Sequence, residues 1–422
     1  MRLLLFVFVS LWAIARSQTY SSVLVGTPPC GWSAAIQLGA TTFQLLVDTG
    51  SSSTVVASSQ CSTTCSGITP VYKTTSTSNP LVGTYIDGAT IAAYGVFDTM
   101  KIGTTTAISS FEFAALVAET HLFTCANAYQ GVLGLAFPTL TFSNTQTTFT
   151  SLAIPGYTVQ LCPTGGNIWF GGADTSYFAS IPVSVPLYPP SITLSTPPPL
   201  AQQGYLLVQV DSINVQGKPA ALLQVGAYST WQLDSSAPGI LFAAQSDFLV
   251  FGAALAATSI LSCPTCTPAQ ITAFWQGTGV LMASKVTVNT AISIQALIWN
   301  GNFGSFRADY PLKIDVNSLL VVLPVSPSNP FFAAIYFNCF YIGSGTLNTL
   351  GTAAFVNNIV LVNSVNNSMA FATGKKCGTP AVTANINYIF SSTNPPSSAS
   401  RLVAMTSSFL LIVVAMVFCT YV

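Results

Sequence analysis

The sequence predicts an all-β protein built from two copies of one unit. Half of its 422 residues are hydrophobic and only 5% are charged, while 30 glycines and 25 prolines punctuate the chain. Such a composition suits short strands whose outer faces are polar through hydroxyl groups, and it is unlike that of a disordered or coiled-coil protein. In each half an apolar segment ends in an aspartate that Thr or Ser follows, at Asp48 and at Asp234. We therefore expect a duplicated β unit with one carboxylate per copy.

The individual strands are predicted from apolar or alternating runs bounded by turn residues. Residues 82–103, for example, form two such runs joined at Asp87-Gly88, which predicts a hairpin. A hydrophobic-Gly element follows each aspartate strand, Leu133-Gly134 in the first half and Leu350-Gly351 in the second. The predicted strands lie within residues 23–39, 43–48, 82–103, 131–138, 167–178, 204–217, 227–233 and 349–372.

A proline-rich stretch between the two halves predicts the domain boundary, because six of the fourteen residues 186–199 are prolines and make a stiff, irregular connection. We expect a first lobe over residues 18–190, a connection over 191–203 and a second lobe over 204–385.

Both ends of the chain are typical of processing signals. Residues 1–17 combine Arg2, an apolar run and small residues at cleavage spacing, which predicts a secretory signal peptide. Residues 386–400 are interpreted as a Ser/Pro linker with an anchor site at Ser398, and the apolar tail 401–422 as the signal for a GPI anchor. The alternative is a tail anchor or a single span with no cytosolic part. The expected location is the outer face of the plasma membrane, reached by the secretory pathway, with the lipid anchor as the link to the membrane.

The cysteines and basic residues narrow the function classes further. In a secreted chain the cysteines should mostly pair, and nine remain if the tail with Cys419 is removed, so at least one odd thiol is expected. Cys263-Pro-Thr-Cys266 could be half of a zinc site, but no second such pair and no nearby His supports this, so a disulfide is favoured. The sequence has no cluster of Lys or Arg, so nucleic acid is not an expected partner. We expect no cofactor and no metal.

Two carboxylates brought together in a poorly solvated cleft can carry out one particular chemistry. Because like charges repel strongly there, the pair shares a proton. One carboxylate can then take a proton from a bound water while the other donates to the carbonyl oxygen of an amide, without metal or covalent intermediate. His121 is the only histidine, so an HExxH zinc motif is impossible and no nucleophile-elbow sequence accompanies it.

Over residues 20–375 the chain resembles the pepsin-like aspartic peptidases. The resemblance implies a bilobal all-β fold with two barrel-like lobes and a central cleft that binds an extended peptide or protein substrate; we expect a monomer. It rests on stretches that occur in order: LLVDTGSSS, FDTMKIG, GVLGLAFP, IWFGGADTSYF, YLLVQVDSINVQG, QLDSS and TLGTAAFVNNIVLVNSVNNSMAFA.

The resemblance also implies roles for individual residues. Asp48 and Asp234 would be the catalytic dyad, with Thr49 and Ser235 exchanging hydrogen bonds beneath it. Ser51 would hydrogen-bond the outer oxygen of Asp48. The turn residues that support the dyad would include Gly50 and Ser236.

Further roles concern a flap and the disulfides. Tyr85, with Gly88 close by, would lie on a flap that closes over substrate, although the pattern alone would make Tyr85 a surface aromatic residue. Cys61 would pair with Cys65. Cys339 would pair with Cys263 or Cys266.

The second aspartate motif departs from the family pattern of Asp-Thr/Ser-Gly-Thr/Ser. Here it is Asp234-Ser235-Ser236-Ala237, so a side chain stands where the family has glycine, close to the carboxylates. This raises the concern that the backbone there has a conformation that only glycine adopts easily. Ala237 removes a hydroxyl that would support Asp234. Thr352 replaces an acidic residue after Leu350-Gly351, and Val55 replaces an aromatic residue behind Tyr85.

These departures leave two hypotheses. The first is an acid endopeptidase of reduced rate, since each missing hydrogen bond would cost about 1–3 kcal/mol. The second is a pseudopeptidase whose cleft binds a peptide or protein without catalysis.

The chain has one N-glycosylation sequon, Asn366-Asn367-Ser368, and its predicted turn position would make Asn366 accessible.

Overall fold

The computed structural model describes most of the chain between residues 19 and 389. The described residues are 19–27, 30–61, 63–75, 79–85, 88–103, 105–123, 128–137, 148–187, 204–220, 229–303, 306–323, 333–342, 347–364, 368–375, 377 and 388–389. The predicted signal peptide, proline-rich connection and C-terminal tail lie outside them, as do Asn366 and Ser398.

Strands dominate the described residues, as the composition and the alternating runs predict. In the first half they are β1 (Tyr20–Thr27), β2 (Gly31–Leu38), β3 (Thr41–Asp48), β4 (Val55–Ala57), β5 (Leu81–Thr84), β6 (Thr90–Ile102), β7 (Thr105–Thr120), β8 (Gly131–Gly134), β9 (Gly156–Leu161), β10 (Gly166–Phe170), β11 (Gly172–Ala173) and β12 (Val183–Pro186).

The second half continues the pattern with mostly shorter strands. They are β13 (Leu207–Val215), β14 (Lys218–Ala220), β15 (Ser229–Leu233), β16 (Ile240–Phe242), β17 (Leu261–Ser262), β18 (Leu281–Met282), β19 (Thr287–Val288), β20 (Ile294–Phe303), β21 (Phe306–Lys313), β22 (Leu320–Leu323), β23 (Ala334–Phe337), β24 (Cys339–Tyr341), β25 (Asn348–Leu350), β26 (Asn358–Asn363), β27 (Ser368–Thr373) and β28 (Tyr388–Ile389).

Helices are short and few among the described residues. They are α1 (Thr148–Leu152), α2 (Gln245–Ala256), α3 (Pro268–Trp275), α4 (Val316–Leu319) and α5 (Thr352–Phe355). None of the helices in the described part of the chain has the length and apolar character needed to cross a membrane.

The first aspartate reaches its position because β3 buries one face. Phe43, Leu45 and Val47 alternate toward the core and are at most 1% exposed, so the strand is held firmly up to Asp48 at its end. Strand β8 runs parallel to β3 with Asp48 opposite Gly134, and antiparallel to β4 on its other side. Only glycine fits at position 134, because an added Cβ would lie 2.5 Å from the carbonyl carbon of Ser52.

The second half repeats this arrangement, which confirms the predicted duplication. Strand β15 runs parallel to β25 with Leu233 opposite Leu350, and β16 is antiparallel to β25 on its other side. Asp48 is the last residue of β3, and Asp234 is the first residue after β15. Each half therefore places its aspartate at the end of a strand that lies beside a hydrophobic-Gly strand.

The halves are joined through a shared sheet. Strand β9 of the first half is antiparallel to β26 of the second, and Val159 lies opposite Val360. The resulting 13-stranded sheet takes β26 and β27 from the second half and eleven strands from the first, and the main hydrophobic core runs through residues of both halves. The fold is therefore the expected bilobal all-β one.

The disulfides confirm the expected pairing of Cys61 with Cys65 but not the expected pairing of Cys339. Cys61 is bonded to Cys65, and Cys263 is bonded to Cys266 across a tight turn in which the Cys266 N–H donates to the Cys263 carbonyl. The expected pairing of Cys339 with either of the latter two is wrong. Cys339 begins the buried strand β24 and is a free thiol, because its two candidate partners are already joined to each other.

A long-range disulfide links Cys162, after β9, to Cys377, after β27. Their sequence separation of 215 residues means that the bond ties the two halves together beside the shared sheet.

Candidate active site

Asp48 and Asp234 meet between the two halves. Both are buried, 4% and 6% exposed, and their carboxyl groups lie close together, since the Ser236 hydroxyl is within hydrogen-bond distance of both. Two aspartates that lie 186 residues apart in the sequence thus form one dyad.

Beneath the dyad, Thr49 and Ser235 exchange hydrogen bonds in a two-fold pattern. The Thr49 hydroxyl donates to the Leu233 carbonyl at 3.0 Å and accepts the Ser235 N–H at 2.9 Å. In return, the Ser235 hydroxyl donates to the Val47 carbonyl at 2.7 Å and accepts the Thr49 N–H at 3.2 Å. Both residues are 1% exposed, so these bonds replace solvent for four backbone groups. The network fixes the two aspartate turns against each other.

The two carboxyl groups have different supports. Asp48 accepts the Gly50 N–H on Oδ1 at 2.7 Å, and the Ser51 hydroxyl donates to its other oxygen, Oδ2. Asp234 accepts two backbone N–H groups on Oδ1, from Ser236 at 2.8 Å and from Ala237 at 3.2 Å. Ala237 occupies the position that matches Ser51, so Asp234 receives no hydroxyl from there.

Ser236 contacts both carboxyl groups. Its Oγ lies 2.7 Å from Asp234 Oδ1 and 3.0 Å from Asp48 Oδ1. The sequence raised the concern of a glycine-only backbone at this position, and that concern is wrong: Ser236 is not among the residues with positive φ. The added side chain is accommodated without backbone strain.

Burial makes both carboxyl groups weaker acids than usual. It raises the pKa of Asp48, against the lowering effect of the hydrogen bonds from Ser51, Gly50 and Ser236. Burial, together with the neighbouring Asp48 charge, raises the pKa of Asp234 to about 7. One proton is therefore held by the pair through the acid range and up to neutrality.

Tyr85 and Gly88 lie in the predicted hairpin, between β5 and β6. The Tyr85 N–H donates to the Ala89 carbonyl at 2.7 Å, and the Gly88 N–H donates to the Tyr85 carbonyl at 3.0 Å, which closes a tight turn. The Tyr85 ring packs against a small apolar cluster that includes Val55, and its hydroxyl oxygen is buried. Tyr85 is therefore not the exposed surface aromatic that the pattern alone favours.

Three residues near the dyad carry no signal that sequence reasoning could use. Tyr157 and Tyr205 have pKa values raised by burial and by the negative charges of both aspartates, but in the sequence each is one aromatic in an ordinary strand pattern. Gln232 is 1% exposed, and neither atom of its side-chain amide has a partner within the described residues.

Thr352 is the other departure that the structure locates. It begins α5, its N–H donates to the Ala237 carbonyl at 2.9 Å, and its buried hydroxyl has no partner within the described residues. The two substitutions at Ala237 and Thr352 are thus neighbours on the Asp234 side of the site.

Comparison with known proteins points to one family. The sequence profile described as eukaryotic aspartyl protease matches residues 31–236, a segment that contains both aspartates. The similar proteins include pepsin II-2/3 of Oryctolagus cuniculus, 26% identical over 220 residues, which are 49% of this chain and 50% of that protein. Pepsin A of Canis lupus familiaris is 26% identical over 48% of this chain and 50% of its own length, and an aspartic protease of Phaffia rhodozyma is 26% identical over 44% and 45%.

The match spans about half the length of these curated relatives. The second half of the chain repeats the aspartate strand and the parallel partner strand of the first half, and the shared sheet joins the two halves. The matched segment, which contains both aspartates, and the similar pepsins together support a pepsin-like aspartic peptidase family for this chain.

Proposed function

We propose that this protein is an aspartic endopeptidase that hydrolyses peptide bonds at acid pH through Asp48 and Asp234. The observation that carries the proposal is the pair of buried carboxyl groups, held together by the hydrogen bonds that Thr49 and Ser235 exchange, whose raised pKa values retain a shared proton. Similarity to pepsins and to the eukaryotic aspartyl protease profile supports the same reaction.

The hydrogen bonds around the dyad support different roles for its two members. Asp48 accepts the Gly50 N–H and the Ser51 hydroxyl, whereas Ala237 offers Asp234 no matching hydroxyl, so the charged form of Asp48 is better stabilised and suits it to act as the general base. Asp234, with a pKa of about 7, keeps its proton in acid solution and is the general acid.

In the proposed reaction a water molecule is hydrogen-bonded to one oxygen of each carboxyl group. Asp48 takes a proton from this water as its oxygen attacks the amide carbon, and Asp234 gives its proton to the carbonyl oxygen. The tetrahedral intermediate collapses when the proton on Asp48 passes to the amine nitrogen and the C–N bond breaks, and Asp234 regains a proton from the geminal diol. No covalent enzyme intermediate forms.

The direct test is proteolysis by the purified full chain, with an unfolded protein as substrate between pH 3 and pH 6. Asp48→Asn and Asp234→Asn should each abolish cleavage, because each removes one of the two proton-transfer groups. Asp247→Asn is the matched control, since Asp247 lies in the first turn of α2, away from the dyad, and cleavage should be unchanged. Wild-type protein that neither cleaves nor binds a statine-type transition-state mimic would refute the peptidase assignment.

A second candidate function is a peptide-binding pseudopeptidase. The contact of the Ser236 hydroxyl with both carboxyl groups favours it, because a hydroxyl in that position competes with the hydrolytic water. Binding of extended peptides at affinities unaffected by Asp234→Asn, without any cleavage, would establish this alternative.

We further propose that Tyr85 acts as a flap residue over an extended substrate and that the protein is tethered by a C-terminal lipid at the outer cell surface. The family resemblance supports the first, and the apolar tail after Ser398 supports the second. A phosphatidylinositol-specific phospholipase should release the full-length protein from intact cells, and protein retained on the cells would contradict a GPI anchor.

A further inference from the structure

The Ser236 hydroxyl stands where the dyad would hold its water. A water that serves two carboxyl groups must lie within hydrogen-bond distance of one oxygen on each. Ser236 Oγ meets that condition at 2.7 Å from Asp234 Oδ1 and 3.0 Å from Asp48 Oδ1. Two oxygen atoms cannot share one position, because even strong O–H···O bonds keep oxygens about 2.5 Å apart or more.

A serine hydroxyl also matches the bonding of a water in this position. It has one hydrogen to donate to the charged carboxylate and lone pairs to accept from the protonated one. With the pair sharing a single proton, both demands of the dyad are met by Ser236 itself.

The first half has no counterpart to this side chain. Gly50 occupies the matching position, and a Cβ added there would lie 2.6 Å from Asp234 Cγ and 3.0 Å from Gln232 Nε2. Position 50 therefore excludes a side chain, whereas position 236 accepts one with ordinary backbone geometry. The two halves of the site are therefore not equivalent, because only the second half places a hydroxyl between the carboxyl groups.

We propose that Ser236 is a built-in brake: its hydroxyl occupies the bridging position between Asp48 and Asp234 at rest, and it must rotate away before water or a hydroxyl-bearing transition-state mimic can bind there. The expected effect on the rate of hydrolysis rests on the proposed peptidase function. The expected effect on binding of the mimic does not depend on that function. Ser236 is a positioning residue in this proposal, because it takes no part in bond making or breaking and only controls whether water can bind between the two carboxyl groups.

The test compares the full-length wild type with Ser236→Gly and Ser236→Ala. Both variants lose the hydroxyl, and Ser236→Ala keeps the Cβ, so that it separates the hydroxyl from mere bulk. Ser246→Ala, which removes an exposed hydroxyl on α2, is the control. Two quantities are measured at pH 4.5: calorimetric affinity for a statine-type mimic, whose hydroxyl must lie between the carboxyl groups, and kcat and KM on a fluorogenic peptide.

Both Ser236 variants should bind the mimic about tenfold more tightly or better, since a hydrogen-bonded hydroxyl no longer has to be displaced from charged partners. Their kcat should rise by a similar factor with KM changed less than about threefold, because ground-state peptide binding does not use the bridging position. Ser246→Ala should match the wild type in all three quantities.

The failures of this proposal and of the peptidase function are distinguishable. If the wild type cleaves and the two variants neither bind the mimic more tightly nor turn over faster, the brake is refuted and the peptidase stands. If the variants lose activity, or if wild-type protein carries an acyl group on Ser236 by mass spectrometry, the hydroxyl is a catalytic group and the brake is again refuted. If nothing cleaves but both variants bind the mimic more tightly, the brake stands and the peptidase function fails.

Discussion

At the scale of single residues, the two aspartates differ through one side chain each. The residue three positions after Asp48 is Ser51, whose hydroxyl donates to the carboxylate, and the residue three positions after Asp234 is Ala237. A donated hydrogen bond stabilises the charged form of an acid, so its absence helps to keep the pKa of Asp234 near 7. The asymmetry of the dyad is thus a local consequence of sequence.

Ala237→Ser should move the alkaline limit of activity to lower pH. The new hydroxyl would donate to Asp234, lower its pKa and release the shared proton earlier, by about one pH unit. The pH profile of kcat/KM between pH 3 and pH 8 measures the shift, with Ala237→Val as a control of similar size that adds no donor. An unchanged or higher alkaline limit in Ala237→Ser would show that this position does not set the proton affinity of the pair.

At the scale of elements, the site depends on two turns that hold each other. Strands β3 and β15 end side by side, and the hydroxyls of Thr49 and Ser235 satisfy backbone groups on the opposite strand end. Because those backbone groups are buried, water cannot supply the hydrogen bonds that would be lost with either hydroxyl.

Thr49→Val should destabilise the fold by about 2–6 kcal/mol. It keeps the side-chain volume but leaves the buried Leu233 carbonyl and Ser235 N–H without their partner, at about 1–3 kcal/mol each. Urea unfolding at pH 5 measures the change, and Thr49→Ser, which keeps the hydroxyl, should lose much less. Equal stability of the two variants would mean that the exchange of hydrogen bonds contributes little.

At the scale of the whole molecule, the raised pKa values link stability to pH. A native-state pKa above the unfolded value means that the folded protein binds more protons than the unfolded chain between pH 3.8 and about 7. The contribution of Asp234 is therefore neutral below pH 3.8, and it destabilises the fold increasingly as the pH rises through that interval.

Asp234→Asn should accordingly be more heat-stable than the wild type at pH 7.5, by an amount on the order of a few kcal/mol, and equal to it at pH 3. The neutral amide cannot acquire the buried charge that the wild type must carry at high pH. Calorimetric unfolding at both pH values tests this, and a variant that is less stable at pH 7.5 would contradict the sign.

The sequence predicts much of this molecule where the determinants are local. The alternation of Phe43, Leu45 and Val47 is enough to predict the strand that ends in Asp48, and its echo before Asp234 predicts the second copy. Helix α2 could not be predicted in this way, because its apolar residues, which include Phe248 and Phe251, do not recur with a clear helical period. Its helical state depends on packing, since Phe248 and Phe251 stack on Phe337, which lies more than 80 residues further along the chain.

Long-range relations explain the remaining differences. The free thiol of Cys339 follows from the pairing of Cys263 with Cys266, and nothing in the spacing of three cysteines decides which one is left over. The contact of Ser236 with Asp48 joins residues 188 positions apart and depends on the angle between two turns. A substitution at Ser236 is visible in the sequence, but which oxygen atoms its hydroxyl reaches is not.

The pairing of β9 with β26 has a consequence for how the protein is made. All six residues of β9 are buried, yet one of its edges is covered by a strand that is synthesised some 200 residues later. In a chain of which only the first half has been synthesised, this edge of β9 is therefore unpaired. It could pair with a strand of another nascent chain. We therefore expect the first half to reach its final form only after Asn358–Asn363 has been synthesised and covers that edge.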